Sequence, residues 1–281
     1  MIRVKDLRFS YTKHPFIENI SFDVKKGEIF GFLGPSGAGK STLQKILTGL
    51  LTNYQGSVMV NGIEVKNHNN DFYEDIGVDF EFPSLYEKLT ARENLRFFAS
   101  LYKKRLDANE LLQSVGLLQD ADKRVAEFSK GMKSRLNFIK ALLHDPILLF
   151  LDEPTSGLDP SNALRMKDII LEQKSMGKTI VLTTHNMYDA TELCDRVAFI
   201  VEGSLKALDT PRNLIMKKGA SLIRYSYWQD GEEKQREIAI DRTGEDELLQ
   251  KLLKENLLLS IHSCEPTLNE IFVEITGRRL H

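Results

Sequence analysis

Two different periods of hydrophobic positions divide the chain along its length. Through about the first sixty residues, apolar side chains occur in short alternating runs separated by turn residues, which is typical of β-strands. Hairpin turns are predicted at Asp23–Glu28 and, within the strand-rich stretch Gly56–Val65, at Asn61-Gly62. Between about residues 89 and 145 the period changes to about 3.6, so this stretch is predicted to be a helical insertion.

Side chains with capping chemistry mark where helices of the insertion begin. Thr90 and Glu93 have the spacing of a capping box, and Ser129 can cap a helix that runs to about His144. Beyond the insertion, strand and helix patterns alternate, which predicts a parallel sheet with helices on its faces. The predicted elements are a buried strand at Ile147–Leu151, a helix at about Asn162–Met176, strands at Lys178–Thr183 and Arg196–Val201, and a short helix that begins at Thr210-Pro211.

The last part of the chain has a pattern of its own. Two strands around the turn Asp230-Gly231 are followed by an amphipathic helix, a further strand and a final helix, which together make a small α+β module. We therefore expect two domains, residues 1–216 and residues 217–281. Trp228, the only tryptophan, is expected to pack inside the second domain rather than to bind a ligand.

Composition and charge exclude several classes of protein. The formal net charge of −2 gives no electrostatic footprint for nucleic acid. Cys194 and Cys264 fit neither a metal-binding spacing nor a disulfide framework, so a reducing, cytoplasmic location is expected. No window of 18 uncharged apolar residues and no signal-peptide pattern occurs. If the protein acts at a membrane, we expect it to do so through a partner.

The stretch GPSGAGKS at residues 34–41 carries the clearest chemistry, because it matches the phosphate-binding pattern G-x-x-x-x-G-K-[ST]. Its glycines allow backbone N–H groups to point at a phosphate, Lys40 supplies a cation, and the Ser41 hydroxyl can bind Mg²⁺. A chance match in a Gly-rich turn is the alternative, but a predicted strand precedes the loop and a helix follows it. The expected nucleotide-binding residues here are Gly34, Pro35, Ser36, Gly37, Ala38, Gly39, Lys40, Ser41 and Thr42.

A pair of carboxylates follows the buried strand at 147–151. Asp152 can hold Mg²⁺, and Glu153 can act as the general base that activates water. An acidic strand end with no function is the alternative. Together with the phosphate-binding loop, however, the pair completes the parts of one hydrolysis site.

Several ordered motifs over about residues 2–216 resemble the ATP-binding subunit of an ABC transporter. After the phosphate-binding loop, Phe128–Met132 matches the family's signature motif, Ser156–Asp159 its D-loop and Thr184-His185 its switch histidine. Ahead of the loop, Tyr11 stands where the family has an aromatic residue that stacks on adenine. Each motif is short, and their common order makes the resemblance specific.

This resemblance implies a head-to-tail dimer that encloses two ATP molecules. Ser129, Gly131 and Met132 would then bind the γ-phosphate held by the other subunit, and Asp159 would lie across the interface. His185 would contact the γ-phosphate and hold Glu153 and the attacking water, while Lys40 stabilises charge on the transferred group. A surface histidine and an exposed strand-end aromatic are the alternatives for His185 and Tyr11.

Two positions depart from the family pattern. Glu81 stands where the family has a glutamine that binds Mg²⁺, and we hypothesise that its carboxylate is a direct metal ligand; a solvated loop glutamate is the alternative. Lys130 stands where many members have glycine, and it either lies near the phosphates or covers the start of the helix.

The resemblance also implies a fold and a function. The fold is an α/β P-loop NTPase core with a mostly parallel sheet, an antiparallel β-subdomain, a helical insertion and the C-terminal module. The segment Glu265–Arg278 resembles the end of multidrug and antibiotic-export members, although a dimer-stabilising role without substrate contact is preferred for this module. The chain is thus expected to hydrolyse ATP with Mg²⁺, as a dimer with itself or with a homologous subunit. This hydrolysis is expected to drive export through a separate integral membrane permease, which would hold the chain at the inner face of the cell membrane. Alternatives are a soluble ABC-type ATPase and an uptake-system or regulatory ATPase.

Overall fold

The computed structural model describes residues 1–80, 84–217 and 222–278. The chain divides into two compact units that meet between Leu208 and Asp209, a few residues before the boundary placed at 216 from the sequence. In chain order, the elements before the second unit are β1 (Ile2–Phe9), β2 (Ile17–Val24), β3 (Ile29–Leu33), α1 (Lys40–Leu47), β4 (Gln55–Val60), β5 (Ile63–Glu64), β6 (Ile76–Asp79), α2 (Ala91–Ala99), α3 (Ala108–Ser114), α4 (Lys130–Leu142), β7 (Leu148–Asp152), α5 (Pro160–Ser175), β8 (Thr179–Thr184), α6 (Met187–Leu193), β9 (Arg196–Val201) and β10 (Ser204–Asp209).

A six-stranded sheet in the order β10-β9-β3-β8-β7-β6 forms the centre of the first unit. The pairs β3/β8, β3/β9, β7/β8 and β6/β7 are parallel, as the alternation of strands and helices predicted. Every residue of β3, β7 and β8 is buried, which is expected for a parallel sheet covered on both faces. Since Leu33 pairs with Thr184 and Asp152 with Thr183, these three strands end at one edge, where the chemistry collects.

A second sheet, in the order β2-β1-β4-β5, has antiparallel neighbours throughout and is the expected β-subdomain. The hairpin predicted at Asn61-Gly62 is confirmed by the pairing of Val60 with Ile63. The hairpin predicted at Asp23–Glu28 is wrong, because β2 pairs with β1 whereas β3 lies between β8 and β9 of the other sheet.

Long-range contacts explain why the turn after β2 leads into a different sheet. The Glu28 carboxylate accepts hydrogen bonds from the Lys25 N–H at 2.6 Å and from Arg196 of β9 at 3.2 Å. The Ile29 N–H donates to Asp195 at 2.8 Å. The end of the turn is thus tied to residues more than 160 positions away, which no local turn signal can indicate.

The helical insertion predicted between residues 89 and 145 is confirmed as α2, α3 and α4. Thr90 and Glu93 form the complete capping box, with N–H to side-chain bonds of 3.1 and 2.8 Å. Ser129 caps α4, as predicted, by accepting a hydrogen bond from the Met132 N–H. This cap fixes the first turn of α4, where the signature-like residues lie.

The second unit combines a three-stranded antiparallel sheet with helices. Its elements are α7 (Pro211–Met216), β11 (Leu222–Gln229), β12 (Glu232–Ala239), α8 (Glu247–Lys254), β13 (Leu258–Cys264) and α9 (Leu268–Thr276), and the sheet order is β12-β11-β13. Tyr225 packs with Leu249 and Leu252 of α8 to form a small core. The expectation that Trp228 packs inside this module is wrong, because its side chain is 60% exposed. Trp228 and Tyr225 have opposite parity on β11, so their side chains lie on opposite faces of the sheet.

Candidate functional site

The loop between β3 and α1 has a backbone that only glycine permits at several positions. Gly37 and Gly39 have positive φ angles of 77° and 109°. A Cβ atom on Gly34 would lie 2.1 Å from the carbonyl oxygen of Ile200 on β9, so no side chain fits there. The loop is thereby held tightly against the edge of the parallel sheet.

The first turn of α1 is arranged to receive an anion. Gly39, its N-cap, has no side chain to accept from the first-turn N–H groups. The Lys40 ammonium donates to the carbonyl oxygens of Gly34 and Pro35 at 2.8 and 3.0 Å, and it therefore lies inside the curl of the loop. Ser41 is exposed and Thr42 buried. These are the positions that the phosphate-binding pattern predicted.

Strand β8 positions the carboxylates of Asp152, the last residue of β7, and of Glu153, which follows it. The Thr183 hydroxyl donates to Asp152, which is only 7% exposed, and the Thr183 carbonyl accepts from the Glu153 N–H at 3.0 Å. Glu153 has a φ of 51°, in the left-handed region that a non-glycine residue rarely occupies. Its carboxylate lies 2.8 Å from Nδ1 of His185. The acid, the candidate base and the histidine thus form one connected group.

These parts line one cleft of about 260 Å³, and Asp152 and Glu153 also border a second cavity of about 310 Å³. The walls of the cleft are formed by Phe16, Ser36, Gly37, Gly39, Lys40, Ser41, Thr42, Asp152, Glu153 and His185. All of these except Phe16 were predicted from the sequence. Phe16 belongs to no recognised sequence motif. It reaches the wall of the cleft because it directly precedes β2. The cleft brings a cation, two carboxylates and an imidazole together in the geometry of a phosphate-hydrolysing site.

Tyr11 lies at the border of this cleft. Its hydroxyl and Oγ1 of Thr42 are 3.0 Å apart, and its ring makes edge contacts with Phe9 and Phe16 at centroid distances of 4.7 and 5.4 Å. The side chain remains 56% exposed. An aromatic face is thus available next to the start of α1.

The predicted residues of the signature-like and D-loop-like segments lie outside this cleft. Ser129, Gly131, Met132 and Asp159 do not line the cleft. A Cβ atom on Gly131 would lie 3.7 Å from the side chains of Leu158 and Asn162, so the start of α4 faces the start of α5 and the residues just before it. Asp159 caps α5, and hydrogen bonds from Asn162 lower the pKa of its carboxyl. These predicted residues therefore form a second group, separate from the cleft of the same chain.

Lys130 lies beside the segment that follows Glu153. Its ammonium lies 2.1 Å from the position of a Cβ atom on Gly157, and it is absent from the walls of the cleft. Lys130 therefore covers Gly157, and together with Asp152 and Glu153 it lines a neighbouring cavity of about 310 Å³.

Glu81 lies outside the described residues, but the residues on either side of it reveal a polar group that sequence reasoning missed. At the end of β6, Asp79 accepts a hydrogen bond from Asn137 of α4, whose amide also donates to the Phe80 carbonyl at 3.2 Å. Lys140 donates to Asn137 at 2.6 Å and reaches the Ser84 carbonyl at 3.5 Å. Helix α4 thus holds the chain at both ends of residues 81–83.

Burial raises the pKa of Asp79 to about 7, while Lys140 and Asn137 act in the opposite direction. The folded state therefore favours the protonated acid, and its contribution to stability is complete below pH 4 and is lost as the pH rises to about 7. Asp79→Asn keeps an acceptor for Asn137 and has no proton to lose. We expect the difference in the free energy of unfolding between variant and parent to shift in favour of the variant, by on the order of 2–3 kcal/mol, when the pH rises from 5 to 8. Thermal midpoints of both proteins at the two pH values measure this; a constant difference would contradict it.

Within the described ranges, no three His, Cys, Asp or Glu side chains are grouped as a metal site, and no helix is long and apolar enough to cross a membrane. Even α5 has only 16 residues.

Comparison with known proteins places this geometry in a family. Residues 17–156 match the family model described as ABC transporter. A fluoroquinolones export ATP-binding protein of Mycobacterium tuberculosis (strain CDC 1551 / Oshkosh) is 49% identical over all of this chain and 94% of its own length. The linearmycin resistance ATP-binding protein LnrL of Bacillus subtilis (strain 168) is 33% identical over 100% and 99% of the two chains.

A solved structure of an ATP-binding subunit of an ABC transporter agrees with these relatives. It is 32% identical and matches 77% of this chain and 92% of its own with a TM-score of 0.71. The P-loop α/β fold predicted from the motifs is thereby confirmed. The chain belongs to the ABC transporter family, as an ATP-binding subunit that hydrolyses ATP.

Proposed function

We propose that two copies of this chain, or one copy and a homologous subunit, close head-to-tail around ATP and drive export through a separate integral membrane permease. The subunits would then lie at the inner face of the cell membrane, on the cytoplasmic side. The observation that carries this proposal is the separation of the two groups of motif residues. The cleft contains Lys40, Asp152, Glu153 and His185, whereas Ser129, Gly131, Met132 and Asp159 are not among the residues that line it.

In this proposal each group of motif residues is one half of an ATP site, and a second chain supplies the other half. Ser129 presents its hydroxyl at the first turn of α4, where backbone N–H groups favour an anion, and no phosphate-binding loop of the same chain lies there. In a head-to-tail pair, this turn of one copy faces the loop of the other. Ser129, Gly131 and Met132 would then complete the γ-phosphate site, with Asp159 at the interface.

For hydrolysis within the completed site, we propose roles for three side chains. Glu153 accepts a proton from the attacking water, and His185, 2.8 Å from its carboxylate, holds the base in place and contacts the γ-phosphate. Lys40 moves from the loop carbonyls to the phosphates, where it stabilises the charge on the transferred group. Closure of the second copy excludes bulk water from the reacting atoms.

The residues of the cleft also fit a divalent cation bound with the nucleotide. Asp152 and the Ser41 hydroxyl line the same cleft and offer the oxygen ligands that Mg²⁺ prefers, and Thr183 fixes the orientation of the carboxylate. Bound Mg²⁺ would neutralise phosphate charge. We also propose Glu81 as a ligand on the basis of its place in the sequence alone.

Tyr11 is proposed to stack on the adenine ring. Tyr11→Ala should weaken ATP binding by about tenfold, because a base–aromatic stack contributes about 1–3 kcal/mol. Tyr11→Phe keeps the ring and loses only the hydroxyl that meets Thr42, so it should bind ATP almost as tightly as the parent. Equilibrium binding of a fluorescent ATP analogue compares the three proteins; equal weakening in both variants would assign the effect to the hydroxyl instead.

Export is supported by the names of the relatives, which describe fluoroquinolone export and linearmycin resistance, and by matches that extend through the C-terminal unit. The test is purification of the tagged chain from detergent-solubilised membranes of its host. We expect an integral membrane permease to be recovered with it, and ATP hydrolysis by the complex to disappear in Lys40→Ala. Recovery with ribosomes or nucleic acid, and without a membrane protein, would contradict the proposal.

A further inference from the structure

A partly buried hydrogen bond joins the loop that carries the candidate base to the first turn of the helix that follows His185. Thr155, two residues after Glu153, donates its hydroxyl proton to Oδ2 of Asp189 at 2.6 Å. Asp189 belongs to the first turn of α6, four residues after His185, and is 7% exposed. The link therefore connects the segment after β7 with the segment after β8, as the contact between Glu153 and His185 does, but a few residues further along each.

Further contacts hold the Asp189 carboxylate in place for this hydrogen bond. Asn186, next to His185, donates its side-chain amide to Oδ2 of Asp189 at 3.1 Å and accepts from the Asp189 N–H at 3.3 Å. The Asn186 N–H donates to the Thr184 hydroxyl at 2.9 Å. Lys167 of α5 lies 3.4 Å from the other oxygen, Oδ1. The carboxylate is thus oriented by an amide and a cation, which leaves Oδ2 directed at the Thr155 hydroxyl.

The candidate base needs such support. The backbone of Glu153 is in the left-handed region with a φ of 51°, and a non-glycine residue stays there only when its surroundings fix it. His185 is half exposed, so packing alone does not hold its ring. The hydrogen bond from the Glu153 N–H to the Thr183 carbonyl joins only the strand ends, so a second connection further along would hold the two partners of the 2.8 Å contact together.

We propose that Thr155 and Asp189 are positioning residues for ATP hydrolysis: their hydrogen bond holds the His185 loop at the distance from the Glu153 loop at which the imidazole meets the carboxylate. The inference rests on the proposed roles of Glu153 and His185. The link touches no nucleotide-binding residue, so its loss should lower kcat and leave the affinity for ATP unchanged.

Thr155→Val removes the hydroxyl while keeping the shape of the side chain, and Thr155→Ser restores it. The control is Thr191→Val, the same substitution on α6 at a residue whose hydroxyl donates to the Met187 carbonyl of its own helix, at 2.8 Å. We expect Thr155→Val to lower kcat about tenfold with KM for ATP unchanged within about twofold, because a small misplacement of a reacting group costs rate rather than binding. Thr155→Ser and Thr191→Val should remain close to the parent.

A spectroscopic measurement observes the positioning directly. In protein labelled with ¹⁵N-histidine, the Nδ1 signal of His185 is assigned by its disappearance in His185→Gln. In Thr155→Val this signal should move toward the position that it has in Glu153→Ala, where the contact is absent. If Thr155→Val does not fold, Asp189→Asn should show a smaller loss of kcat with the same shift, since a neutral acceptor bonds more weakly than a carboxylate.

An unchanged kcat with an unmoved His185 signal would overturn the inference, and so would a rise in KM that accounts for the whole loss. A loss in Thr155→Ser equal to that in Thr155→Val would also overturn it. The proposed function fails separately: if Glu153→Gln hydrolyses ATP normally, the base is misassigned, whereas an inactive Glu153→Gln beside a fully active Thr155→Val rejects only the positioning role.

Discussion

Replacing Glu153 with glutamine should lower the turnover of ATP by about two to four orders of magnitude, the range expected when a general base is removed. The amide keeps the length and shape of the side chain beside His185, but it cannot take a proton from water. ATP binding depends on the loop before α1 and should remain near its normal strength. ATP-loaded dimers should therefore accumulate, which size-exclusion chromatography coupled to light scattering detects.

The chain provides a matched control for this variant. Glu202, in the turn between β9 and β10, also has a positive φ, of 49°, and it does not line the cleft. Glu202→Gln makes the same chemical change on the same type of backbone, so it should hydrolyse ATP like the parent. Turnover in Glu153→Gln equal to that of Glu202→Gln would remove Glu153 as the base.

Replacing Lys40 with alanine should have a comparably large effect. The ammonium at the curl of the loop is the cation closest to the expected phosphates, and the loss of one such donor costs about a hundredfold to a thousandfold in rate. Unlike Glu153→Gln, this variant should also bind ATP more weakly, because the cation acts on the ground state as well. Rates of phosphate release and binding of a fluorescent ATP analogue measure the two effects.

Lys45 supplies the control for this change. It lies on α1 five residues after Lys40, is exposed and does not contribute to the cleft. Lys45→Ala should keep full activity. If both lysine variants lose activity equally, the effect belongs to the helix or to overall charge rather than to a phosphate contact.

The sequence predicts most of the cleft because its chemistry is written in short local patterns. The phosphate-binding loop needs its glycines and Lys40 in a fixed order, and Asp152-Glu153 ends an apolar strand. Parallel strands then bring these ends to one edge of the sheet, so the convergence with His185 follows from the strand and helix alternation.

The features that the sequence does not predict depend on partners far along the chain. The turn before β3 leads to another sheet because Glu28 meets Arg196. Asp79 ends an ordinary apolar strand, and only the structure brings it to Asn137, 58 residues later. The hydrogen bond between Thr155 and Asp189 spans 34 residues and carries no motif either. The local pattern predicts whether a segment is a helix, a strand or a loop, whereas these long-range side-chain contacts depend on how the segments pack.

The central claim, that each hydrolysis site is shared between two copies, is tested most directly by mixing two inactive variants. Lys40→Ala damages the loop, and Ser129→Asp places a negative charge against the γ-phosphate while still capping α4. In a mixed dimer, the loop of the Ser129 variant faces the intact α4 of the Lys40 variant, so one of the two sites is whole. An equal mixture should hydrolyse ATP at about a quarter of the parent rate, since about half of the dimers are mixed. A mixture no more active than either variant alone would contradict the claim.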